Sequence, residues 1–220
     1  MRIIDVEQNT DEWLEARLGV PTASAFNMLV TGQGLDSKQI DKYGKQLAIE
    51  EHIRQSPKHF FGNSFTNRGH DLEPDAIAEY EFIYGADVQK VGFCVADNES
   101  FGFSPDGLVA DDGLIEVKCL EDVNHLDLLY SNRHEKKVPT KYLPQVQGQL
   151  LGSGRTQCDL YFYHPQMDSL RFTIIRDCDY QEKLQNNIYK VLEIKSRYLD
   201  FLSGNKESET KKHNKLVMEL

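Results

Sequence analysis

The chain has 220 residues, a length that corresponds to one domain of ordinary size or slightly more. Hydrophobic residues make up 40% and charged residues 27% of the sequence, which excludes collagenous, disordered and disulfide-stapled classes. The formal net charge of −10 argues against a protein that coats nucleic acid or a membrane by bulk attraction. Local contact with DNA stays open, because a basic groove or divalent cations offset the repulsion between acidic groups and phosphates.

The cysteine pattern and the N-terminal residues predict a cytoplasmic protein. The four cysteines lie far apart without a Cys-x-x-Cys pair, which indicates reduced thiols rather than a zinc or disulfide framework. No signal-peptide core follows the first residues, and no apolar run approaches the ~20 residues of a membrane span. No linker or repeat marks a boundary, so we expect a single domain over residues 1–220 with a polar tail from about Gly204.

Helical patterns open the chain. Asp11 precedes a short helical pattern that Gly19 and Pro21 stop, and Thr22 is the expected N-cap of a second helix that runs through Val30. Hydrophobic periodicity predicts further helices over 37–54, 70–84, 121–130, 142–151 and 179–201.

Strand signals fill the region between residues 88 and 118. Three short runs, punctuated by Asn98, Pro105 and an Asp-Asp-Gly turn, predict a meander of three antiparallel strands. Two more strands are expected at 157–163 and 169–175. The order of elements predicts an α/β fold, with a central mixed or antiparallel sheet flanked by helices.

Three charged residues lie in this strand region. Asp106 opens one predicted strand, and Glu116 and Lys118 share one face of the next because side chains alternate along a strand. A hairpin at the Asp-Asp-Gly turn brings the two carboxylates and the ammonium group together. Such a trio suits metal-assisted phosphodiester hydrolysis, since hard divalent cations prefer carboxylate oxygens. The alternative is a surface ion pair on a sheet edge.

Two further polar features flank the trio along the sequence. Glu73 is either a third carboxylate of the metal site or an acidic residue in the first turn of the helix 70–84, where it complements the helix dipole. Gln145 and Gln149 lie one turn apart on one face of the helix 142–151. That face either hydrogen-bonds phosphate and base edges or is simply solvated.

Basic residues suggest two contacts with DNA. Arg17 and Ser24 lie near the predicted N-terminus of the helix 22–30 and form a candidate anion site, although Arg17 alone is equally suited to cover Trp13. The densest basic run spans residues 132–141 and is either a solvated loop or, as we favour, a loop that tracks DNA. Its basic residues are Arg133, Lys136, Lys137 and Lys141.

Taken together, the motifs resemble the phage lambda exonuclease group, also called the YqaJ-like viral recombinases, within the PD-(D/E)xK nuclease superfamily. The resemblance runs from Trp13 to about Tyr163. In chain order, the matching motifs are Trp13-x3-Arg17-Leu-Gly-Val, Thr22-Ala-Ser24, Gly69-x3-Glu73, Ser104-Pro-Asp106-Gly-Leu, Glu116-Val-Lys118-Cys119 and Gln145-Val-Gln147.

The resemblance implies a restriction-endonuclease-like core and a 5′→3′ exonuclease that degrades one strand of linear duplex DNA to mononucleotides. It implies two Mg²⁺ ions, for which Mn²⁺ substitutes, held by Asp106, Glu116 and the backbone carbonyl of Val117. It also implies that Lys118 handles the attacking water and that Glu73 and Gln145 complete the site. Beyond that site, Arg17 and Ser24 are expected to bind the 5′-phosphate and Gln147 to contact DNA.

By the same resemblance we expect a homotrimeric ring on double-stranded DNA ends and a single-strand annealing recombinase as partner, in the cytoplasm of a bacterial host. One position departs from related bacterial recombination nucleases, which often have Tyr where this chain has Gln149. Two other functions stay open at this point: a structure-specific endonuclease or nickase with the same metal site, and a non-catalytic module that binds DNA ends.

Overall fold

The structure is a computed structural model that describes residues 1–55, 64–135 and 137–204. Lys136 of the basic run and the expected polar tail beyond Gly204 therefore lie outside the described residues. Within the described part of the chain, no helix is both long enough and apolar enough to cross a lipid bilayer.

The described residues form six α-helices and eight β-strands. The helices are α1 (Asp11–Ala16), α2 (Ile40–Ile53), α3 (Ser64–Tyr84), α4 (Asp122–Glu135), α5 (Leu143–Ser153) and α6 (Cys178–Leu202). The strands are β1 (Arg2–Ile4), β2 (Val88–Gln89), β3 (Phe93–Val95), β4 (Gly102–Phe103), β5 (Gly107–Val109), β6 (Gly113–Lys118), β7 (Gln157–Phe162) and β8 (Leu170–Ile175). Two 3₁₀-helices add Ala23–Met28 and Thr140–Tyr142.

A five-stranded mixed sheet forms the centre of the molecule, in the order β2-β5-β6-β7-β8. Strands β6 and β7 are parallel, and the other pairs are antiparallel. A parallel pair requires a crossover connection, and α4 and α5 supply it between β6 and β7. The predicted α/β fold with a mixed sheet flanked by helices is therefore confirmed.

Both faces of the central strand β6 are covered. On one face, Leu114 packs with Leu160 of β7 and with Val146 and Leu150 of α5. On the other face, α3 packs against the sheet, with Ile77 among the residues of that cluster. Because the strand is buried on both sides, a charged side chain on β6 has to find its hydrogen-bond partners inside the protein.

The predicted three-strand meander is wrong. Its first run divides into β2 and β3, and its second run divides into β4 and β5. Strands β3 and β4 join β1 in a separate antiparallel sheet, whereas β2 and β5 pair in the central sheet. The break after β2 contains Gly92, where a Cβ atom would collide with the backbone carbonyl of Val6, so the close passage of the N-terminal segment requires glycine.

Two predicted helices also differ from the structure. The segment after Thr22 is a six-residue 3₁₀-helix, Ala23–Met28, rather than a helix through Val30. Helix α3 begins at Ser64 and includes Pro74 in its interior, so Glu73 lies in the middle of the helix and not in its first turn. The helix-dipole interpretation of Glu73 is therefore wrong, because that effect falls off beyond the first turn.

Candidate active site

The hairpin formed by β5 and β6 brings Asp106 to β6. In its register, Gly107 lies opposite Ile115, so the residue before β5 reaches the second half of β6. The Asp106 carboxylate accepts a hydrogen bond from the backbone N–H of Val117 at 2.6 Å. This bond fixes the aspartate beside Glu116 and Lys118, as the spacing predicts.

Glu116 lies in the interior, with its side chain only 3% exposed. Its Oε1 accepts hydrogen bonds from Lys118 Nζ at 2.5 Å and from Gln145 Nε2 at 2.6 Å. Its Oε2 accepts one from Gln149 Nε2 at 2.6 Å. The interpretation as a surface ion pair on a sheet edge is wrong, because β6 is the middle strand of the sheet and α5 covers this face.

The site holds more negative charge than its own residues neutralise. Burial raises the pKa of Asp106 well above its ordinary value, and the charges of Glu116 and Glu73 raise it further. The Lys118 ammonium group and the Val117 N–H oppose this increase but do not cancel it. The site therefore favours the binding of additional positive charge.

Lys118 is a cation at neutral pH. Burial by itself lowers the pKa of Lys118, but the charges of Glu116 and Asp106 outweigh burial and raise it above the ordinary value. The ammonium group also lies 5.5 Å from the centre of the Tyr142 ring. While Glu116 and Asp106 carry their negative charges, Lys118 stays protonated and acts as a hydrogen-bond donor.

A cavity of about 720 Å³ opens beside Asp106 and Glu73. Its other wall includes the N-terminal segment 5–9, in which the Gln8 side chain donates hydrogen bonds to the carbonyls of Val91 at 2.9 Å and Pro105 at 3.1 Å. Glu73 faces this cavity and lies 3.4 Å from Lys90 Nζ. Helix α3 thus delivers a third carboxylate near Asp106 from the middle of the helix.

Arg17 and Ser24 meet at a second position. The Arg17 guanidinium donates a hydrogen bond to Ser24 Oγ at 3.1 Å and stacks 3.8 Å from the centre of the Trp13 ring. Burial lowers the pKa of Arg17 to about 10, which still leaves it charged at neutral pH. Among the described residues no carboxylate lies within 4 Å of this guanidinium, and its direct contacts Ser24 and Trp13 are neutral. The charge of Glu50 acts on it from a greater distance and raises its pKa, against the effect of burial.

Trp13 connects the two positions. Its indole N–H donates a hydrogen bond to Ser104 Oγ at 3.0 Å, two residues before Asp106. Arg17 therefore covers Trp13 and contacts Ser24 at the same time, so the two interpretations of Arg17 are compatible. The helical segment beside Ser24 begins after Thr22 as predicted, but it is a 3₁₀-helix of six residues without a side-chain cap, so it offers no α-helix N-terminus to an anion.

Comparison with known proteins shows the family. The YqaJ-like viral recombinase domain matches residues 12–156. The chain belongs to the YqaJ-like viral recombinase family. A comparison with curated protein sequences gives no significant match.

Solved structures agree with this family membership. The chain is similar to an alkaline exonuclease, LHK-Exo, from Laribacter hongkongensis, with 28% identity, a TM-score of 0.78 and coverage of 90% of this chain and 99% of that one. The same exonuclease in complex with dAMP matches with 28% identity and a TM-score of 0.77, over 92% of this chain and 99% of that one. A phage-related exonuclease from Haemophilus somnus 129PT matches in fold, with 16% identity and a TM-score of 0.63 over 91% and 97% of the two chains. The expected restriction-endonuclease-like fold is thereby confirmed.

The donor set of this YqaJ-like chain suits a hard divalent cation. Asp106 and Glu116 supply carboxylate oxygens, and a cation between them would relieve their mutual repulsion. Among the described residues, no cluster of three or more His, Cys, Asp and Glu side chains is arranged to enclose a metal ion. A site with two carboxylates matches Mg²⁺, which keeps several waters and takes few protein ligands.

The sequence predicts that Gln147 contacts DNA, but the structure places this residue inside the protein. Its side chain is 3% exposed, and its amide bonds the Ile175 carbonyl at 2.8 Å and the Asp177 backbone N–H at 3.1 Å. It therefore joins α5 to the end of β8 and the start of α6 and does not face DNA. Gln149 occupies the position facing Glu116, and the signal for it was the one-turn spacing from Gln145.

The basic run divides into three parts. Arg133 lies exposed in the last turn of α4, and Lys137 donates a hydrogen bond to Glu135 at 2.8 Å. Lys141 lies 4.8 Å from the centre of the Tyr142 ring, the same ring that Lys118 approaches. The run is thus partly helical rather than one loop, and of its described basic residues Lys141 is the one that shares the Tyr142 ring with Lys118.

Proposed function

We propose that this chain is a Mg²⁺-dependent exonuclease that degrades one strand of linear duplex DNA in the 5′→3′ direction. Its products are mononucleotides and a 3′ single-stranded overhang, which serves recombination by strand annealing. The observation that carries the proposal is the convergence of Asp106, Lys118 and Gln145 on the buried Glu116 carboxylate, in a member of the YqaJ-like family. The 28% identity with an alkaline exonuclease, which was also solved with a mononucleotide, supports the same activity.

Each protein group has a distinct part in the reaction. Asp106, Glu116 and the Val117 carbonyl would hold a Mg²⁺ ion, which would polarise the scissile phosphate and lower the pKa of a bound water. Two such ions are proposed, with Mn²⁺ as a substitute. Lys118, which is charged, orients the attacking water and stabilises the negative charge that develops on the phosphate oxygens. Gln145 and the Val117 N–H hold the two carboxylates in place.

The bond changes leave the DNA end ready for the next cycle. The water oxygen adds to phosphorus, the bond from phosphorus to the 3′ oxygen of the terminal nucleotide breaks, and that oxygen takes up a proton. The terminal nucleotide leaves with its own 5′-phosphate, and the next nucleotide keeps the newly formed one. A site for a 5′-terminal phosphate is therefore reused in every cycle.

We assign that site to Arg17 and Ser24. A half-buried guanidinium with no carboxylate within 4 Å among the described residues can pair directly with an anion, and the Ser24 hydroxyl adds a hydrogen-bonding group. Trp13 connects this site to Ser104 and so to Asp106. The basic residues from Arg133 to Lys141 are proposed to follow the DNA backbone, with Lys141 nearest the reaction. Glu73 is proposed to complete the catalytic site.

The assembly and setting are also proposals. We propose one nuclease domain over residues 1–220, a homotrimeric ring around DNA, a single-strand annealing recombinase as partner, and the cytoplasm of a bacterial host as the location. A ring explains how a chain with a net charge of −10 stays on its substrate. Light scattering of the purified protein measures the oligomeric state.

Digestion of a labelled linear duplex tests the activity. The 5′ and 3′ labels are followed separately in Mg²⁺, with a covalently closed circle as control, for the wild type and for Glu116→Gln. Early release of the 5′ label as mononucleotide, with an intact circle and an inactive variant, is expected. Cutting of the circle would assign the site to an endonuclease or nickase, and binding without cutting would assign it to a DNA-end-binding module.

The phosphate site has its own test. Wild-type protein is expected to degrade 5′-phosphorylated ends faster than 5′-hydroxyl ends, and Arg17→Ala is expected to abolish that difference. Arg17→Lys, which keeps the charge but loses the planar fork, is expected to retain part of it. Equal rates of the wild-type protein on both kinds of end would contradict the assignment.

A further inference from the structure

Gln149 is the donor to Glu116 that lies deepest in the protein. Its side chain is fully buried on α5, one helical turn after Gln145, and its Nε2 lies 2.6 Å from Glu116 Oε2. Gln145 and Lys118 both donate to the other oxygen, Oε1. Gln149 is therefore the single side chain, among the described residues, that holds Oε2.

The orientation of the Gln149 amide is determined by Glu116. With the nitrogen towards the carboxylate, Gln149 Oε1 is buried and has no hydrogen-bond partner among the described residues. The opposite orientation would place this oxygen against a carboxylate oxygen, which repels it. An unpartnered buried oxygen costs stability, and an apolar side chain of the same volume would avoid that cost. Burial alone thus gives no reason for an amide at this position, whereas the contact with Glu116 does.

The remaining acceptor capacity of Glu116 lies on Oε2. A carboxylate offers about four lone-pair positions, two on each oxygen. Lys118 and Gln145 occupy those of Oε1, and Gln149 occupies one of Oε2. The lone pair left for a cation belongs to the oxygen that Gln149 holds.

We propose that Gln149 is a positioning residue that holds Glu116 Oε2 in place for a divalent cation. The inference rests on the proposed function, because it assigns a role within the same metal site. Residues that orient a metal ligand typically contribute about 10–100-fold to metal affinity or activity. The loss of Gln149 is therefore expected to act on metal binding first and on DNA binding little.

The test measures Mg²⁺ binding by calorimetry without DNA. Gln149→Met keeps the volume and removes the donor, and we expect about 10-fold or more weaker Mg²⁺ binding. The concentration of Mg²⁺ that gives half-maximal nuclease rate should increase by a similar factor, with an unchanged KM for DNA. Gln149→Asn, which withdraws the amide by one methylene group, should lose the same binding.

Gln147→Met is the matched control. It replaces a buried glutamine on the same helix whose amide bonds Ile175 and Asp177 instead of Glu116. We expect a lower Tm for this variant and unchanged Mg²⁺ binding. Equal weakening by both variants would show that any damage to α5 suffices, and would overturn the proposal.

Two further outcomes separate the inference from the proposed function. If the wild-type protein degrades DNA and Gln149→Met binds Mg²⁺ as tightly, only the inference fails. If the wild-type protein neither binds Mg²⁺ nor degrades DNA, both fail.

An NMR titration of the wild-type protein with Mg²⁺ gives a second test that requires no variant to fold. Mg²⁺ should shift the side-chain amide signal of Gln149 and leave that of Gln147 in place. No shift of the Gln149 signal at saturating Mg²⁺ would also contradict the inference.

Discussion

Both faces of the central sheet carry carboxylates, but the groups around them differ. On the face covered by α5, Glu116 receives three donors, of which one is the charged Lys118, and a second carboxylate, Asp106, lies beside it. On the face covered by α3, Asp159 accepts from Tyr80 at 2.6 Å and from Thr173 at 2.5 Å.

On the α3 face, hydroxyl groups are the main hydrogen-bond donors to the carboxylates. Glu79 accepts hydrogen bonds from the hydroxyls of Tyr161 and Ser169, and Arg171 lies 3.6 Å from Asp159. Burial and the hydrogen bond to Asp159 raise the pKa of Tyr80, so that hydroxyl remains a donor. Neutral donors and one arginine satisfy these carboxylates, and the cluster ties α3 to the sheet.

The difference agrees with the proposed roles, which assign catalysis to the cluster on the α5 face and a structural role to the cluster on the α3 face. On the α5 face repulsion persists, because burial and Glu116 raise the pKa of Asp106. A cation bound between these carboxylates, as proposed above, would relieve that repulsion. Substitutions on the α5 face should therefore mainly reduce activity, and substitutions on the α3 face should mainly reduce stability.

The largest expected effect is loss of activity in Glu116→Gln. We expect the rate of DNA degradation to fall by about 10³-fold or more, because several kcal/mol of charge stabilisation at the metal site are lost. A gel assay with labelled duplex measures it. Glu79→Gln, which makes the same change on the other face, should keep the rate within a few-fold, and an equal loss in both variants would remove the distinction between the faces.

Tyr161→Phe should show the opposite pattern. The variant loses the 2.6 Å hydrogen bond that the buried Tyr161 donates to the half-buried Glu79. Hydrogen bonds to charged groups contribute about 1.5–3 kcal/mol, so the free energy of unfolding should decrease by about that amount. Urea denaturation measures the change. Activity per folded molecule should remain at the wild-type level, and a large loss there would mean that the α3 face belongs to the catalytic machinery.

Asp106→Asn should stabilise the metal-free protein at neutral pH. The folded-state pKa of Asp106 is raised, so its contribution to stability is present below the ordinary aspartate pKa and is lost as the pH rises through the folded-state value. In EDTA the variant and the wild type should therefore melt alike near pH 4. Near pH 8 the variant should have a higher Tm, by about 2–4 °C for each kcal/mol of repulsion removed. A lower Tm of the variant at pH 8 would contradict the raised pKa.

The smallest expected effect concerns the basic run outside both faces. Salt dependence is measured as the slope of the logarithm of the degradation rate against the logarithm of the salt concentration. Reversing the charges of Lys136 and Lys137 should make this slope less steep by about one for each phosphate that the protein no longer neutralises. Rates measured over a series of salt concentrations give the slope. Lys42→Glu with Lys45→Glu on α2 provides the same charge change elsewhere. An unchanged slope in the first pair of substitutions would exclude the run from the DNA path.

Part of the site could be predicted from local rules. The alternation of side chains places Glu116 and Lys118 on one face, and the hairpin turn brings Asp106 to them. The one-turn spacing on α5 groups Gln145 with Gln149. The depth of Glu116 could not be predicted, because β7, the parallel partner of β6, follows about forty residues later in the chain.

Other predictions failed where a residue or strand pairs with a segment that is distant in the sequence. The strands after residue 88 separate into two sheets because β1, at the N-terminus, pairs with β3. Gln147 turns away from the active site because Ile175 and Asp177, both distant in sequence, satisfy its amide. Glu73 reaches the cavity beside Asp106 from the interior of α3, whose earlier start the periodicity of residues 70–84 did not reveal.

Sequence alone determined the types of chemical groups and their local spacing: two carboxylates and a lysine on a hairpin, two glutamines one turn apart, and an arginine near a serine. Tertiary structure decided which glutamine meets Glu116, how far Asp106 is shielded from water, and which face of the sheet buries two carboxylates beside each other. The physical reason is that spacing depends on backbone geometry within a few residues. Burial, pKa and hydrogen-bond partners depend on segments that the fold brings together from distant parts of the chain.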